Sequence, residues 1–159
     1  MKHLLRTIAI ASICAVGSSL ALSGDAAAGD LEISAAWAKA SLKGVPNSAA
    51  YMAITNTGAS ADRLVAADAD VSKAVELHTM SMTDGVMRMR KLEDGLTVPA
   101  GETVRLAPGG EHIMLIGLEA QLEAGESFDI RLEFENAGAQ SISVEVRDTP
   151  PEAADDGQS

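Results

Sequence analysis

From residue 30 onward, short runs of alternating apolar and polar residues are interrupted by clusters of Gly, Asn, Asp and Pro. The interruptions recur every roughly 8–12 residues, the punctuation of an all-β domain. Strands are predicted at 31–40, 48–58, 62–69, 74–82, 85–92, 102–108, 112–118, 127–135 and 142–148. In FDIRLEFE, Phe128, Ile130, Leu132 and Phe134 face one way and Asp129, Arg131, Glu133 and Glu135 the other. Ile142, Val144 and Val146 likewise share a face. Such period-two patterning places one face on a core and the other in water. Residues 118–122 are compatible with a helical turn, but no long 3.6-residue stripe occurs. The turns carry fitting chemistry: Asn56-Thr57-Gly58, Asp84-Gly85, Asp94-Gly95, Pro99-Ala100-Gly101 and Pro108-Gly109-Gly110. A single β-sandwich or barrel of about seven or eight strands follows.

The two ends do not share this pattern. Lys2, His3 and Arg6 precede an apolar stretch from Ile8 to Leu22, and Ala26 and Ala28 form a small-x-small site before Gly29. This is the pattern of a secretory leader cleaved near Ala28. Ser12, Gly17, Ser18 and Ser19 break the apolar run, which argues against a membrane anchor. A lipid anchor on Cys14 would need a small residue before it, where Ile13 stands. At the other end, TPPEAADDGQS has no large apolar residue and is expected to stay disordered. The expected organisation is a leader at 1–28, a folded domain at 29–148 and an acidic tail at 149–159.

Cleavage changes the balance of charge and of reactive groups. The full chain has 12 basic and 23 acidic residues; losing Lys2, Arg6 and Asp25 leaves 10 and 22, a net charge of −12. That balance argues against nucleic acid and anionic membrane surfaces as partners. Cys14 and His3 also leave. The mature domain then has no cysteine, so it is held by its core rather than by disulfides. Its histidines are His78 and His112.

Four of the seven methionines lie in one stretch, VELHTMSMTDGVMRMR, around Asp84-Gly85. Asp-Gly between two β-like runs predicts a two-residue hairpin. The register then pairs Thr83 with Val86, Met82 with Met87, Ser81 with Arg88 and Met80 with Met89. His78, Met80, Met82, Met87 and Met89 share one face, and Ser81, Arg88 and Arg90 the other. The second histidine occurs in the same H-x-M pattern, as His112 and Met114 after a Gly-Gly turn, with Ile113 and Leu115 facing the core.

Methionine often does no more than fill irregular gaps in a core, and this is the expectation for Met52 and Met82. A histidine on a strand is commonly structural. Two histidines and several methionines together on turn-adjacent strand faces nevertheless favour a metal site. Thioether sulfur suits copper(I) and does little for zinc, calcium or magnesium, whereas imidazole accepts copper in either state. A blue-copper centre needs a thiolate, and a catalytic zinc normally needs three His or carboxylate ligands. Neither set is present in the mature sequence. With no cysteine nucleophile and no histidine at the expected mature N-terminus, an enzyme is not expected.

The spacing of these residues resembles the signature H(M)-x10-M-x21-H-x-M of the periplasmic copper chaperones called PCu(A)C. Trp37-Ala38, NSAAYMAITNTG, DRLV, VELHTM, DGVMRMRKL and VPAGETVRLAPGGEHIMLIGL extend the resemblance across the mature domain. It implies a cupredoxin-like Greek-key β-barrel binding copper(I) through His78, Met89, His112 and Met114, with Met80 as an auxiliary donor. One departure is visible: 22 residues separate Met89 from His112, and the extra one falls at the Glu93-Asp94-Gly95 turn. The resemblance implies a periplasmic carrier supplying copper during assembly of cytochrome c oxidase, through transient contact with an oxidase subunit or another copper assembly protein. The alternatives are a periplasmic copper buffer without a dedicated recipient and a β-sandwich adaptor that binds no metal.

Overall fold

Alternation along the chain becomes strands throughout. The computed structural model describes residues 30–151, so the expected leader and the tail from 152 lie outside the described residues. The elements are β1 (Leu31–Lys39), β2 (Asn47–Asn56), β3 (Asp62–Asp68), β4 (Ser72–Thr83), β5 (Val86–Lys91), β6 (Leu96–Val98), β7 (Thr103–Leu106), β8 (His112–Leu118), β9 (Ser127–Phe134) and β10 (Gly138–Arg147). Nine of these lie in the order β5-β4-β8-β2-β1-β10-β9-β3-β6, and β7 pairs with β2 beside β8. Pairing is antiparallel except for β1 with β10, which is parallel. The non-sequential neighbours make this a Greek-key sandwich, as expected. The strand at 96–98 was not anticipated, and 118–122 forms no helical turn but leads out of β8 through a bend.

One sheet can enclose a core only by folding over itself. The buried cluster draws on every strand but β5: Leu31 and Ala38, Met52 and Ile54, Leu64, Leu77, Val98, Leu106, Ile113 and Leu115, Ile130 and Leu132, Val144 and Val146. Each such aliphatic side chain stabilises the fold by about 1.5–3 kcal/mol relative to exposure. The alternation read in β9 and β10 is the observed burial: Ile130, Leu132, Val144 and Val146 are fully enclosed. β5 is an edge strand with all six residues exposed.

A β-bulge decides which aromatic residues reach the sheet's other face. Ser34 pairs with Ala53 and Trp37 with Tyr51, so two β1 residues oppose one of β2. Ala35 takes up the extra length with φ 50°, a left-handed conformation that costs about 1–2 kcal/mol for a residue with a Cβ. Before the bulge Leu31 and Ile33 align with the core side of β2. After it Ala38 does, and Trp37 shares the outer face with Tyr51. Bulges commonly re-aim a side chain in this way.

Two buried polar residues fasten the far end. Asn56 donates through Nδ2 to the carbonyls of Ser60 (2.8 Å) and Val98 (3.0 Å) and accepts from Gly58 N–H (2.9 Å). Asp62 accepts from the backbone N–H of Arg63 (2.7 Å), Asn136 (2.9 Å) and Ala137 (2.8 Å) and from Asn136 Nδ2 (3.2 Å). Burial pushes the Asp62 carboxyl up, but these hydrogen bonds outweigh it and hold the group below its ordinary range. Its folded pKa is depressed, so its contribution is fully present above the unfolded carboxylate value and is lost as pH falls through the folded one. Asp62→Asn turns an amide N–H₂ toward a backbone donor. Urea unfolding at pH 7 is expected to show a loss of about 1–3 kcal/mol, with the gap to wild type closing below roughly pH 4.

Candidate metal centre

The hairpin forms as its turn residues require. Asp84 and Gly85 have φ 53° and 75°, and positive φ at both central positions defines a type I′ turn matched to the twist of the strands. The register is the expected one, Thr83 with Val86, Met82 with Met87, Ser81 with Arg88 and Met80 with Met89, and it continues to His78 with Lys91. His78, Met80, Met82, Met87 and Met89 therefore share a face. On its other edge β4 pairs with β8, His78 opposite His112 and Glu76 opposite Met114. The two H-x-M segments thus lie on adjacent strands with their side chains on the same face. Ile113 and Leu115 are fully buried behind them.

The Pro108-Gly109-Gly110 turn locks the segments together. The Gly110 carbonyl accepts from the Met80 backbone N–H (3.1 Å) and from His112 Nδ1 (3.0 Å). A carbonyl only accepts, so Nδ1 carries the proton and the neutral His112 ring keeps its lone pair on Nε2. Beyond this point the hairpin projects past β8.

Met80, Met89, His112 and Met114 line one cleft of about 300 Å³, together with Tyr51 and with Leu42 and Val45 of the β1–β2 loop. His78 does not line this cleft; its ring centroid lies 5.9 Å from that of His112. Tyr51 lies 6.4 Å from His112 and 4.7 Å from Trp37, so the ring aimed by the Ala35 bulge forms the base of this face. Burial pushes the Tyr51 phenol up, keeping it protonated at neutral pH.

His78 is held differently. Its Nε2 lies 2.9 Å from Glu76 Oε2, and Lys91 Nζ donates to Glu76 Oε1 at 3.0 Å. The hydrogen bond from His78, and after it the one from Lys91, keeps the Glu76 carboxyl below its ordinary range, and Glu76 raises Lys91 in turn. A carboxylate accepts, so Nε2 carries a proton, and in the neutral ring the lone pair is on Nδ1. That Nδ1 is the one buried side-chain nitrogen or oxygen without a partner among the described residues. Buried polar atoms are rarely left so unless something else satisfies them. No group of three or more His, Cys, Asp or Glu is placed to hold an ion among the described residues; the donors that line the cleft are thioether sulfur and imidazole, a set that suits soft ions.

One of the two methionine expectations changes. Met52 is core, 2% exposed, but Met82 is not a gap filler: it is 69% exposed near the hairpin tip, and Met87 is 45% exposed. The register extends the row of His78 and the methionines beyond the edge of the core, so Met82 and Met87 have nothing to pack on. Glu76, Lys91, Tyr51 and the Gly110 carbonyl were missed as parts of the site. Glu76 was findable, because the alternation that aligns His78 with Met80 also aligns Glu76 with His78.

The all-β Greek-key architecture is shared with PCuAC domains of known structure. The copper-bound PCuAC domain from PmoF2 matches with a TM-score of 0.65 and 26% identity, covering 76% of this chain and 95% of that one. Apo-DR1885 from Deinococcus radiodurans matches with 0.59 and 26%, covering 94% and 97%. The chain belongs to the LpqE-like family, described as "Putative lipoprotein LpqE-like", whose model matches residues 31–146. A relative from Leifsonia xyli subsp. xyli, "Putative lipoprotein Lxx21020", is 36% identical over 154 residues, 92% of this chain and 91% of its own length.

The contrast between the methionines is measurable by urea unfolding. Met52→Ala is expected to lose about 2–5 kcal/mol, whereas Met82→Ala stays within about 0.5 kcal/mol of wild type.

Proposed function

We propose that this protein is an exported carrier of copper(I), binding the ion through His78, Met89, His112 and Met114 with Met80 as an auxiliary donor. The observation that carries the reading is the unpartnered, buried Nδ1 of His78, whose ring is 5.9 Å from that of His112 in a cleft also lined by three thioethers. Copper(I) suits this donor set, and methionine and neutral imidazole remain usable where thiols would be lost to disulfides. The structural relatives support the choice of metal: PmoF2 supplies a copper-bound PCuAC domain, and DR1885 of D. radiodurans is known in a CuI form that matches with a TM-score of 0.58 and 26% identity. The lipoprotein descriptions of the family and of the L. xyli relative support export. Ile13 ahead of Cys14 favours a cleaved periplasmic form over a lipid-anchored one.

Chemically, this is a binding and transfer device rather than a catalyst. Neutral thioethers hold the ion without a strong charge pairing, so a recipient offering thiolates or more imidazoles can draw it away by ligand exchange. The exposed Met82, Met87 and Met89 give a flexible apolar surface on which such a recipient can dock. We assign delivery to the copper centres of cytochrome c oxidase during assembly as the physiological role.

Anaerobic copper(I) titration of the domain from residue 29 onward, against a competing chelator, tests binding. Wild type is expected to take up one equivalent. Met89→Ala and His112→Ala are each expected to lose more affinity than the roughly 10–100-fold typical of removing an outer partner. Absence of binding by wild type, or undiminished binding by both variants, sinks the copper reading. Delivery is tested separately. A deletion strain should lose oxidase activity under copper limitation and regain it with added copper; intact oxidase together with raised copper sensitivity would instead indicate a buffer.

A further inference from the structure

Glu76 occupies a singular place in the sheet. It lies two residues before His78 on β4, opposite Met114 on β8, and within reach of Lys91, which is two residues past Met89 on β5. Its two carboxylate oxygens are divided between the strands: Oε2 accepts a hydrogen bond from Nε2–H of His78 at 2.9 Å, and Oε1 accepts one from the Lys91 ammonium at 3.0 Å. One carboxylate therefore fixes the rotation of an imidazole and tethers the strand that carries Met89. β5 has no buried residue of its own to hold it.

We propose that Glu76 is the positioning residue of the metal site, holding His78 by its Nε2 proton so that the buried Nδ1 is the nitrogen offered to the ion. This rests on the copper(I) reading above and deepens it. A carboxylate behind a ligating imidazole fixes the tautomer and the ring plane and raises the basicity of the opposite nitrogen. Lys91 keeps that carboxylate from swinging toward the metal and becoming a hard, competing ligand. His112 is governed by the same principle with a different acceptor, the Gly110 carbonyl, so the two imidazoles present opposite ring nitrogens, Nδ1 from His78 and Nε2 from His112.

Copper(I) is diamagnetic, so the assignment can be read directly by ¹⁵N NMR of the histidine rings. In the metal-free wild type the His78 Nε2 proton is expected to be retained and slow to exchange. On adding copper(I), Nδ1 of His78 and Nε2 of His112 should shift while His78 Nε2 keeps its proton. Glu76→Ala is expected to lose that slow exchange and to weaken copper(I) binding roughly 10- to 100-fold. Glu76→Gln, which keeps an acceptor oxygen, should recover most of the affinity, and Lys91→Met should lose less than Glu76→Ala. Coordination of His78 through Nε2 in wild type overturns the assignment, as does unchanged affinity in a folded Glu76→Ala protein. The first of these needs no variant, so instability of Glu76→Ala leaves the test intact. Failure of wild type to bind copper(I) strikes the parent reading instead.

Discussion

The site depends on the position of one strand. β4 is hydrogen-bonded to β5 on one edge and β8 on the other, and a strand has only two faces. Leu77 belongs to the core, so Glu76, His78, Met80 and Met82 must lie on the opposite side. The partners selected by register, Met114 and His112 on β8 and Met87, Met89 and Lys91 on β5, join them there. A slip of β4 by one residue would turn Glu76, His78 and Met80 toward the apolar interior and bring Leu77 out. The packing that stabilises the sandwich thus also assembles the row of imidazole and sulfur. Fold and chemistry share a single constraint.

This coupling explains how much could be read from the sequence. The hairpin register was legible because Asp84-Gly85 admits few turn types, and once the turn is set the pairings from Met82 to Met80 follow. The sandwich was legible because the alternation in β9 and β10 is nearly unbroken. β6 was not, since Leu96-Thr97-Val98 is too short to display a period; it is a strand because β3 and the Asn56 side chain lie beside it. The Ala35 bulge had no local signal either. Nothing in SAAWAK announces a residue with positive φ, and the conformation is imposed by pairing on both sides of it. Met82 was misjudged because composition says what a side chain prefers, whereas exposure depends on how far the hairpin extends past its neighbours.

The proposed donors draw support from different places. His112 is 4% exposed, on a strand flanked by β4 and β2, with its ring bonded to Gly110. His78 leans on Glu76 and, behind that, on Lys91. Met89 sits on an edge strand that adds nothing to the core, 46% exposed, alongside alternating arginines that discourage further strand pairing. Burial declines steadily from β8 across β4 to β5.

That gradient bears on how a bound ion could leave. Regions with few buried contacts open at far lower free energy than the global unfolding of a domain. Separation of β5 from β4 breaks a short ladder and one ion pair while the cluster of Ile113, Leu115 and Leu77 stays whole. Under the copper-carrier reading, Met89 can therefore swing away and leave a coordination position vacant while His112 and Met114 still hold the ion. A recipient's ligand can enter that position before the last original one departs, so the metal need never be released to water. Tight retention and rapid hand-over, usually opposed in a single site, are here assigned to opposite edges of the same strand.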